Sequence, residues 1–178
     1  TRQAVDAIMS ADLVVLGPGS WFTSVIPHVL VPGLAAALQA TTARRALVLN
    51  LMAEPGETAG FSVERHLHVL AQHAPDFTVH DVIIDAERVP GEREREQLRR
   101  TANLLRAQVQ FADLARPGTA LHDPDKLAAT LDGVGVRDTG SAATSATTTE
   151  GMPIESERQQ TGADGPGRNG PRGDDAWR

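Results

Sequence analysis

Four short apolar runs, separated by helical patterns, constrain the fold of this chain more than any other feature of its sequence. The first three runs consist almost entirely of Val, Ile and Leu, as expected of strands that are buried on both faces, and the fourth is Val-Gln-Phe. The runs are residues 13–16, 46–49, 82–84 and 109–111. Strands that alternate with helices in this way predict an α/β fold, in which helices cover both faces of a parallel sheet.

The segments between these runs carry helical signals. Ser62 is a candidate N-cap, and Leu67 and Leu70 fall on one face of the helix that follows it. Pro27 is expected to end or kink its helix, whereas Pro32 suits the first turn of the next one. The predicted helices are residues 3–9, 20–30, 32–40, 62–73, 92–105 and 124–131.

The composition changes sharply near Gly133. Residues 134–178 are rich in Gly, Ser, Thr, Asp and Arg, and nearly free of large apolar side chains, so they cannot bury enough surface to offset the entropy lost on folding. We therefore predict a folded domain over residues 1–133 and a disordered tail over residues 134–178. Because the chain begins at Thr1 within a helical pattern, we expect that an N-terminal part of the domain is missing.

Several classes of protein are disfavoured by composition. The formal net charge of −6 argues against nucleic-acid binding, which needs a basic surface. The absence of cysteine excludes disulfides, thiolate catalysis and cysteine-ligated zinc, and it fits a cytoplasmic location. Prolines interrupt the longest apolar run, residues 25–38, so we expect no membrane span, and the first residues lack the features of a signal peptide.

The first loop, residues 17–24, follows a predicted strand and opens a predicted helix. Gly17 and Gly19 would let the backbone approach a ligand closely, and the start of the helix would offer free N–H groups that suit a phosphate. Ser20, Thr23 and Ser24 would add hydroxyl donors. The alternative is a tight turn in which Ser20 merely caps the helix. The loop lacks the lysine of a Walker motif and the spacing of a dinucleotide fingerprint.

The second loop, residues 50–61, follows the second predicted strand. Asn50 stands where that strand ends, so its amide could face a cleft. Glu54 and Glu57 could hold a metal ion, accept a proton or bind a ribose or sugar hydroxyl, and Thr58 lies beside them. The alternative is an acidic loop that is only solvated. Because ligands of such folds bind at the carboxyl ends of strands, both loops are candidate ligand-binding segments.

The histidines give weaker signals. The spacing of His66 and His68 turns them in different directions on one helix, and no metal-binding motif is present, so we predict no metal site. His122 and Asp123 precede the last helix, where Asp123 is favoured as a cap over a ligand contact. No combination of Ser, His and Asp supports a catalytic assignment, and no catalytic residue is predicted.

Three segments resemble one known family. GPGSWFTSVIP at 17–27, NLMAEPGETAGF at 50–61 and HDPDKLA at 122–128 are similar to motifs of the gluconeogenesis factor (YvcK) family and occur in the same order. The similarity covers residues 3 to 133. That family shares a superfamily with 2-phospho-L-lactate transferase (CofD), so the resemblance implies a Rossmann-like parallel sheet.

The resemblance also implies a function. Gluconeogenesis factors bind UDP-sugars such as UDP-N-acetylglucosamine, are linked to cell shape, peptidoglycan synthesis and carbon metabolism, and several are kinase substrates. By this resemblance the first loop would hold a diphosphate, and Asn50 and Glu57 would orient sugar or ribose hydroxyls. The alternative is a 2-phospho-L-lactate transferase of coenzyme F420 synthesis, with a carboxylate binding Mg²⁺. A non-catalytic binding protein is favoured, and a homo-oligomer stays open.

The sequence departs from the family pattern at three places. The family's N-terminal glycine-rich phosphate loop is absent, Trp21 and Phe22 stand where a Leu-Tyr type pair is common, and Leu121 occupies a place where many members have Arg. The last change weakens the case for ligand contacts by His122 and Asp123. In the tail, a Ser/Thr kinase would find candidate acceptor residues at Thr139, Thr144, Thr147, Thr148 and Thr149.

Overall fold

The computed structural model describes residues 1–136. The four strands are β1 (Leu13–Leu16), β2 (Arg44–Val48), β3 (Asp81–Asp85) and β4 (Gln108–Ala112). The helices are α1 (Arg2–Ser10), α2 (Ile26–Leu30), α3 (Pro32–Ala40), α4 (Val63–His73), α5 (Glu92–Ala102) and α6 (Pro124–Val136). A π-helical turn spans Trp21–Val25, and 3₁₀ turns span Ala86–Arg88 and Asn103–Leu105.

The strands form one parallel sheet in the order β1-β2-β3-β4, which confirms the predicted fold class. Val15 pairs with Ala46, Leu47 with Val82, and Ile84 with Phe111. The strand order does not reverse within the described residues, so this part of the sheet contains no topological switch point. All four carboxyl ends nevertheless lie along one edge, because the strands are parallel.

Helices cover both faces, but unequally. Right-handed crossovers that always step in one direction put the connecting helices on the same face. That face carries the larger core, in which Leu67 and Leu70 of α4 and Leu98 of α5 pack on the sheet. On the other face, Val134 of α6 packs on alternate strand residues such as Ile83. The predicted two-sided cover is therefore confirmed.

Most predicted helices are present, with changes at their ends. Ser62 caps α4, since its hydroxyl accepts a hydrogen bond from the N–H of Arg65 at 3.2 Å. The predicted helix 20–30 is instead a π-helical turn followed by α2, and Pro27 lies in the first turn of α2 rather than at its end. Pro32 begins α3, as predicted.

The predicted boundary between the folded domain and the tail lies close to the end of the described residues. The boundary expected at Gly133 falls inside α6, which ends at Val136. The tail from residue 137 onward, with its candidate kinase sites, lies outside the described residues. Among the described helices, none is long and apolar enough by itself to cross a membrane. A pair bent by 72°, Trp21–Leu30 with Pro32–Ala40, meets that test only by length and composition.

A buried polar network joins three strands at the edge opposite the two loops. Asp81 is fully buried, and its carboxylate accepts a hydrogen bond from Arg44 Nε at 2.8 Å and one from Gln110 Nε2 at 2.6 Å. Arg44, Asp81 and Gln110 belong to β2, β3 and β4. A buried carboxylate is tolerated only when it is paired in this way.

We predict that Arg44→Met destabilises the fold by about 3–5 kcal/mol, because it leaves the Asp81 carboxylate buried without its cation. Urea unfolding measures the change. The control is Arg100→Met, which removes an ion pair to Glu96 from a side chain that is 76% exposed and should cost less than about 1 kcal/mol. Equal effects of the two substitutions would contradict the role given to the network.

Candidate functional site

The first and second loops meet at the carboxyl edge of the sheet. The N–H of Gly19 donates to Asn50 Oδ1 at 2.9 Å, and Asn50 Nδ2 donates to the carbonyl oxygen of Gly19 at 2.9 Å. This reciprocal pair links the segments that follow β1 and β2. The structure therefore brings together the two loops that the sequence selects, and it uses the Asn50 amide to join them.

The carboxylate of Glu57 caps the first helical turn after β1. Its Oε2 accepts the N–H of Trp21 at 3.0 Å, and its Oε1 accepts the N–H of Phe22 at 3.2 Å and the hydroxyl of Ser20 at 2.5 Å. Ser20 also caps this turn itself, because its hydroxyl accepts the N–H of Thr23 at 3.2 Å. The positive end of the helical turn, expected to attract a phosphate, thus holds a carboxylate of the same chain.

The fold itself explains the two glycines of the first loop, without a bound ligand. Gly17 has a φ of 74°, and a Cβ atom there would lie 2.5 Å from the carbonyl oxygen of Val48. Only glycine lets the loop approach β2 so closely. Gly19 is the residue that pairs with Asn50. Thr23 and Ser24 are exposed, and the hydroxyl of Thr23 is hydrogen-bonded to that of Ser20.

The second loop is closed by its own hydrogen bonds. Thr58 is fully buried, and its hydroxyl accepts the N–H of Glu54 at 2.8 Å. The N–H of Thr58 donates to the carbonyl oxygen of Glu54 at 3.0 Å. The predicted ligand contact at Thr58 would therefore require this loop to open. Glu54 remains half-buried and reaches Asn50 Nδ2 at 3.4 Å.

The pKa values of the two glutamates in the second loop are shifted in opposite directions. The hydrogen bond from the Ser20 hydroxyl, followed by those from Glu54 and the backbone, lowers the pKa of Glu57. The hydrogen bond to Glu57, burial and the nearby negative charge raise the pKa of Glu54. Glu57 is therefore the carboxylate that stays ionised and holds the helical turn.

An aromatic cluster lies beneath the first loop. The ring of His66 is 5.0 Å from that of Trp21 and 5.4 Å from that of Phe61, edge to face in both cases. His66 Nδ1 is 2.8 Å from the carbonyl oxygen of Ser62, and its Nε2 is buried without a hydrogen-bond partner among residues 1–136. Burial lowers the pKa of His66, so a neutral imidazole packs α4 against the first loop.

His122 and Asp123 have different surroundings. Asp123 caps α6, since its Oδ1 accepts the N–H groups of Asp125 at 3.0 Å and Lys126 at 3.2 Å, which confirms the favoured interpretation. His122 lines a recess of about 350 Å³ together with Asn50, Glu54 and Ala120. Its Nε2 is buried and has no partner in the described part of the chain, and burial lowers its pKa.

A larger cleft of about 630 Å³ lies at the carboxyl ends of β3 and β4. Leu51, Met52 and Ala120 line both the cleft and the recess, so the two cavities adjoin. Of its lining residues, Leu51 and Met52 belong to the second loop and Lys126 to the HDPDKLA segment, and the sequence motifs include none of the others. The charged side chains that line it are Asp85, Glu87, Arg88, Asp113, Arg116 and Lys126.

The charged side chains that line the cleft differ in how many hydrogen-bond or ion-pair partners they have. Asp85 is buried and accepts the N–H of Glu87 at 3.0 Å and the N–H of Leu114 at 2.8 Å. Lys126 Nζ donates to both oxygens of Asp113, at 2.7 and 2.8 Å. Within residues 1–136, no group of three or more His, Asp or Glu side chains is placed to hold a metal ion.

A model of the 2-phospho-L-lactate transferase CofD family matches residues 1–122. A Mycobacterium leprae protein, provisionally named a gluconeogenesis factor, is 74% identical over 178 residues, which are 100% of this chain and 50% of that protein. A relative of the same name from Mycobacterium tuberculosis (strain H37Rv) is 75% identical over 178 residues, which are 48% of its length. The chain thus spans about half the length of the curated relatives it matches.

Solved structures share the fold. The crystal structure of a member of the UPF0052 family from Bacillus halodurans aligns with a TM-score of 0.62 and 26% sequence identity, over 74% of this chain and 46% of that one. A second crystal structure of a Bacillus halodurans protein aligns with a TM-score of 0.56 and the same identity and coverage.

We predict that Glu57→Gln loosens the contact between the two loops, because an amide has one acceptor oxygen and no charge to place at the helical turn. Hydrogen exchange at the Trp21 and Phe22 amides should quicken about fivefold, as expected when a helix cap is lost. The control is Glu64→Gln in the first turn of α4. Unchanged exchange in the Glu57 variant would show that the carboxylate does not hold the first loop.

Proposed function

We propose that this chain, which belongs to the 2-phospho-L-lactate transferase CofD family and to its gluconeogenesis factors, binds a nucleotide sugar of the UDP-N-acetylglucosamine type. The observation that carries the proposal is the pair of adjoining cavities, the recess and the cleft, along the carboxyl edge of the parallel sheet. Ligands of open α/β sheets bind at this edge.

The chemistry of the cavity suits such a ligand. Each of the two parts, about 350 and 630 Å³, is in the range of small-molecule sites. The recess offers amide, carboxylate and imidazole groups from Asn50, Glu54 and His122, which suit sugar or ribose hydroxyls. The cleft adds guanidinium groups, which suit a diphosphate.

The sugar contacts proposed for the second loop need one revision. Glu54 lines the recess and can still contact a hydroxyl, and Asn50 lines it too, although its amide is hydrogen-bonded to Gly19. Glu57, in contrast, is hydrogen-bonded to the first loop. A phosphate at the amides of Trp21 and Phe22 would have to displace Glu57. The roles predicted for Gly17, Gly19, Ser20, Thr23 and Ser24 therefore depend on that displacement.

The proposed role is that of a regulator rather than a catalyst. Bound nucleotide sugar would report the supply of cell-wall precursors, in line with a cytoplasmic protein that influences cell shape, peptidoglycan synthesis and carbon metabolism. Phosphorylation of tail threonines by a Ser/Thr kinase would then modulate a partner interaction by adding negative charge.

The second candidate function is phospholactyl transfer. The family model that matches the chain is that of a transferase, and the cleft contains the carboxylates of Asp85 and Glu87. Because residues 1–136 lack a cluster of three metal ligands, a Mg²⁺ ion would be held by one or two carboxylates together with ligand phosphates. This function predicts turnover of a deazaflavin acceptor with an activated phospholactate donor.

We predict saturable binding of UDP-N-acetylglucosamine to the purified protein, with a Kd below about 1 mM, measured by titration calorimetry. His122→Ala should weaken this binding, because His122 lines the recess, and thermal melting of the variant checks that the fold is retained. His28→Ala, on α2, is the control. Absence of saturable heat at several millimolar ligand, or product formation with the phospholactate donor, would reject the binding function.

A further inference from the structure

We propose that Arg88 and Arg116, which line the cleft at the carboxyl ends of β3 and β4, bind the phosphates of the ligand. This inference rests on the proposed function for the identity of the ligand, and it moves the phosphate site away from the glycine-containing first loop. Neither arginine belongs to a motif that the sequence analysis singles out.

The first reason is that the donors of the first loop are engaged. The N–H of Gly19 donates to Asn50, and the N–H groups of Trp21 and Phe22 donate to Glu57. The N–H of Thr23 donates to Ser20 Oγ. A phosphate at this place would have to break these bonds and expel an ionised carboxylate, which offsets much of the gain from binding.

The second reason concerns which cationic side chains of the cleft are already paired with other groups of the protein. Lys126 is committed, since its ammonium group donates to both oxygens of Asp113 and to the carbonyl oxygen of Ala115 at 2.9 Å. Among residues 1–136, the side chains of Arg88 and Arg116 make no ion pair or hydrogen bond to another residue, and both are exposed. They are therefore the cations of the cleft that are available to a ligand.

The third reason is that the backbone fixes both arginines at the cavity. Arg88 ends the 3₁₀ turn after β3, and that turn is capped by the buried Asp85. The N–H of Arg116 donates to the carbonyl oxygen of Leu121 at 2.9 Å, and the neighbouring residues Ala115 and His122 form an antiparallel bridge. Two guanidinium groups on separate, anchored loops can donate paired hydrogen bonds to phosphate oxygens.

The position of the cleft also suits the rest of a nucleotide sugar. Met52 and Ala120 line the cleft and the adjoining recess, so a ligand with phosphates at Arg88 and Arg116 can extend past them. The remaining part would then meet the polar groups of the recess. Asp85 is engaged by backbone N–H groups, and Glu87 is exposed, where its repulsion of a phosphate is weakened by solvent.

The test uses titration calorimetry of the purified protein with two probes, inorganic pyrophosphate and UDP-N-acetylglucosamine. Arg88→Gln and Arg116→Gln should each weaken binding of both probes about tenfold, the loss expected for one charge-assisted contact. Arg93→Gln is the matched control, because Arg93 is exposed on α5 and lines neither the recess nor the cleft. Thermal melting of each variant checks that the fold is retained.

The outcomes separate this inference from the proposed function. If UDP-N-acetylglucosamine binds the folded arginine variants as tightly as the unsubstituted protein, the phosphate site lies elsewhere and the inference is overturned, while the proposed function stands. If only pyrophosphate binds, and the arginine variants lose it, the anion site is supported and the nucleotide-sugar function fails. If neither probe binds the unsubstituted protein, both are rejected.

Discussion

The arrangement of the carboxyl edge depends on one carboxylate, that of Glu57, placed at the first helical turn after β1. It satisfies N–H groups that would otherwise lack partners, and it ties the second loop to the first. The paired hydrogen bonds between Gly19 and Asn50 reinforce this contact. The partial positive charge of this helical N-terminus is thereby balanced by a carboxylate of the same chain, so an anionic ligand would have to displace that carboxylate.

Because this turn is occupied, the proposed phosphate site lies instead in the loops after β3 and β4. There the structure leaves two guanidinium groups without partners in the described residues, beside a cavity of about 630 Å³. Within residues 1–136 the strands follow one another across the sheet in one direction, so the described part of the sheet has no reversal of strand order that would create a crevice. The loops that line this cavity include the 3₁₀ turn ending at Arg88 and the segment around Arg116, beside the bridge between Ala115 and His122.

Local signals were enough to predict the elements of the fold but not the partners within the site. The strands, the Ser62 cap and the Asp123 cap follow from neighbours in sequence, and all three are confirmed. The bonds of Glu57 to the first loop span more than thirty residues, so no local pattern distinguishes it from Glu54. Arg88 and Arg116 carry no motif, and only the packing of the sheet brings their loops to one cavity.

A crystal structure of the protein with UDP-N-acetylglucosamine would test the central claim most directly. The account predicts the diphosphate in the cleft, within hydrogen-bonding distance of Arg88 and Arg116, while Glu57 still caps the turn at Trp21 and Phe22. A diphosphate bound to the backbone amides of the first loop, with Glu57 displaced from them, would contradict it.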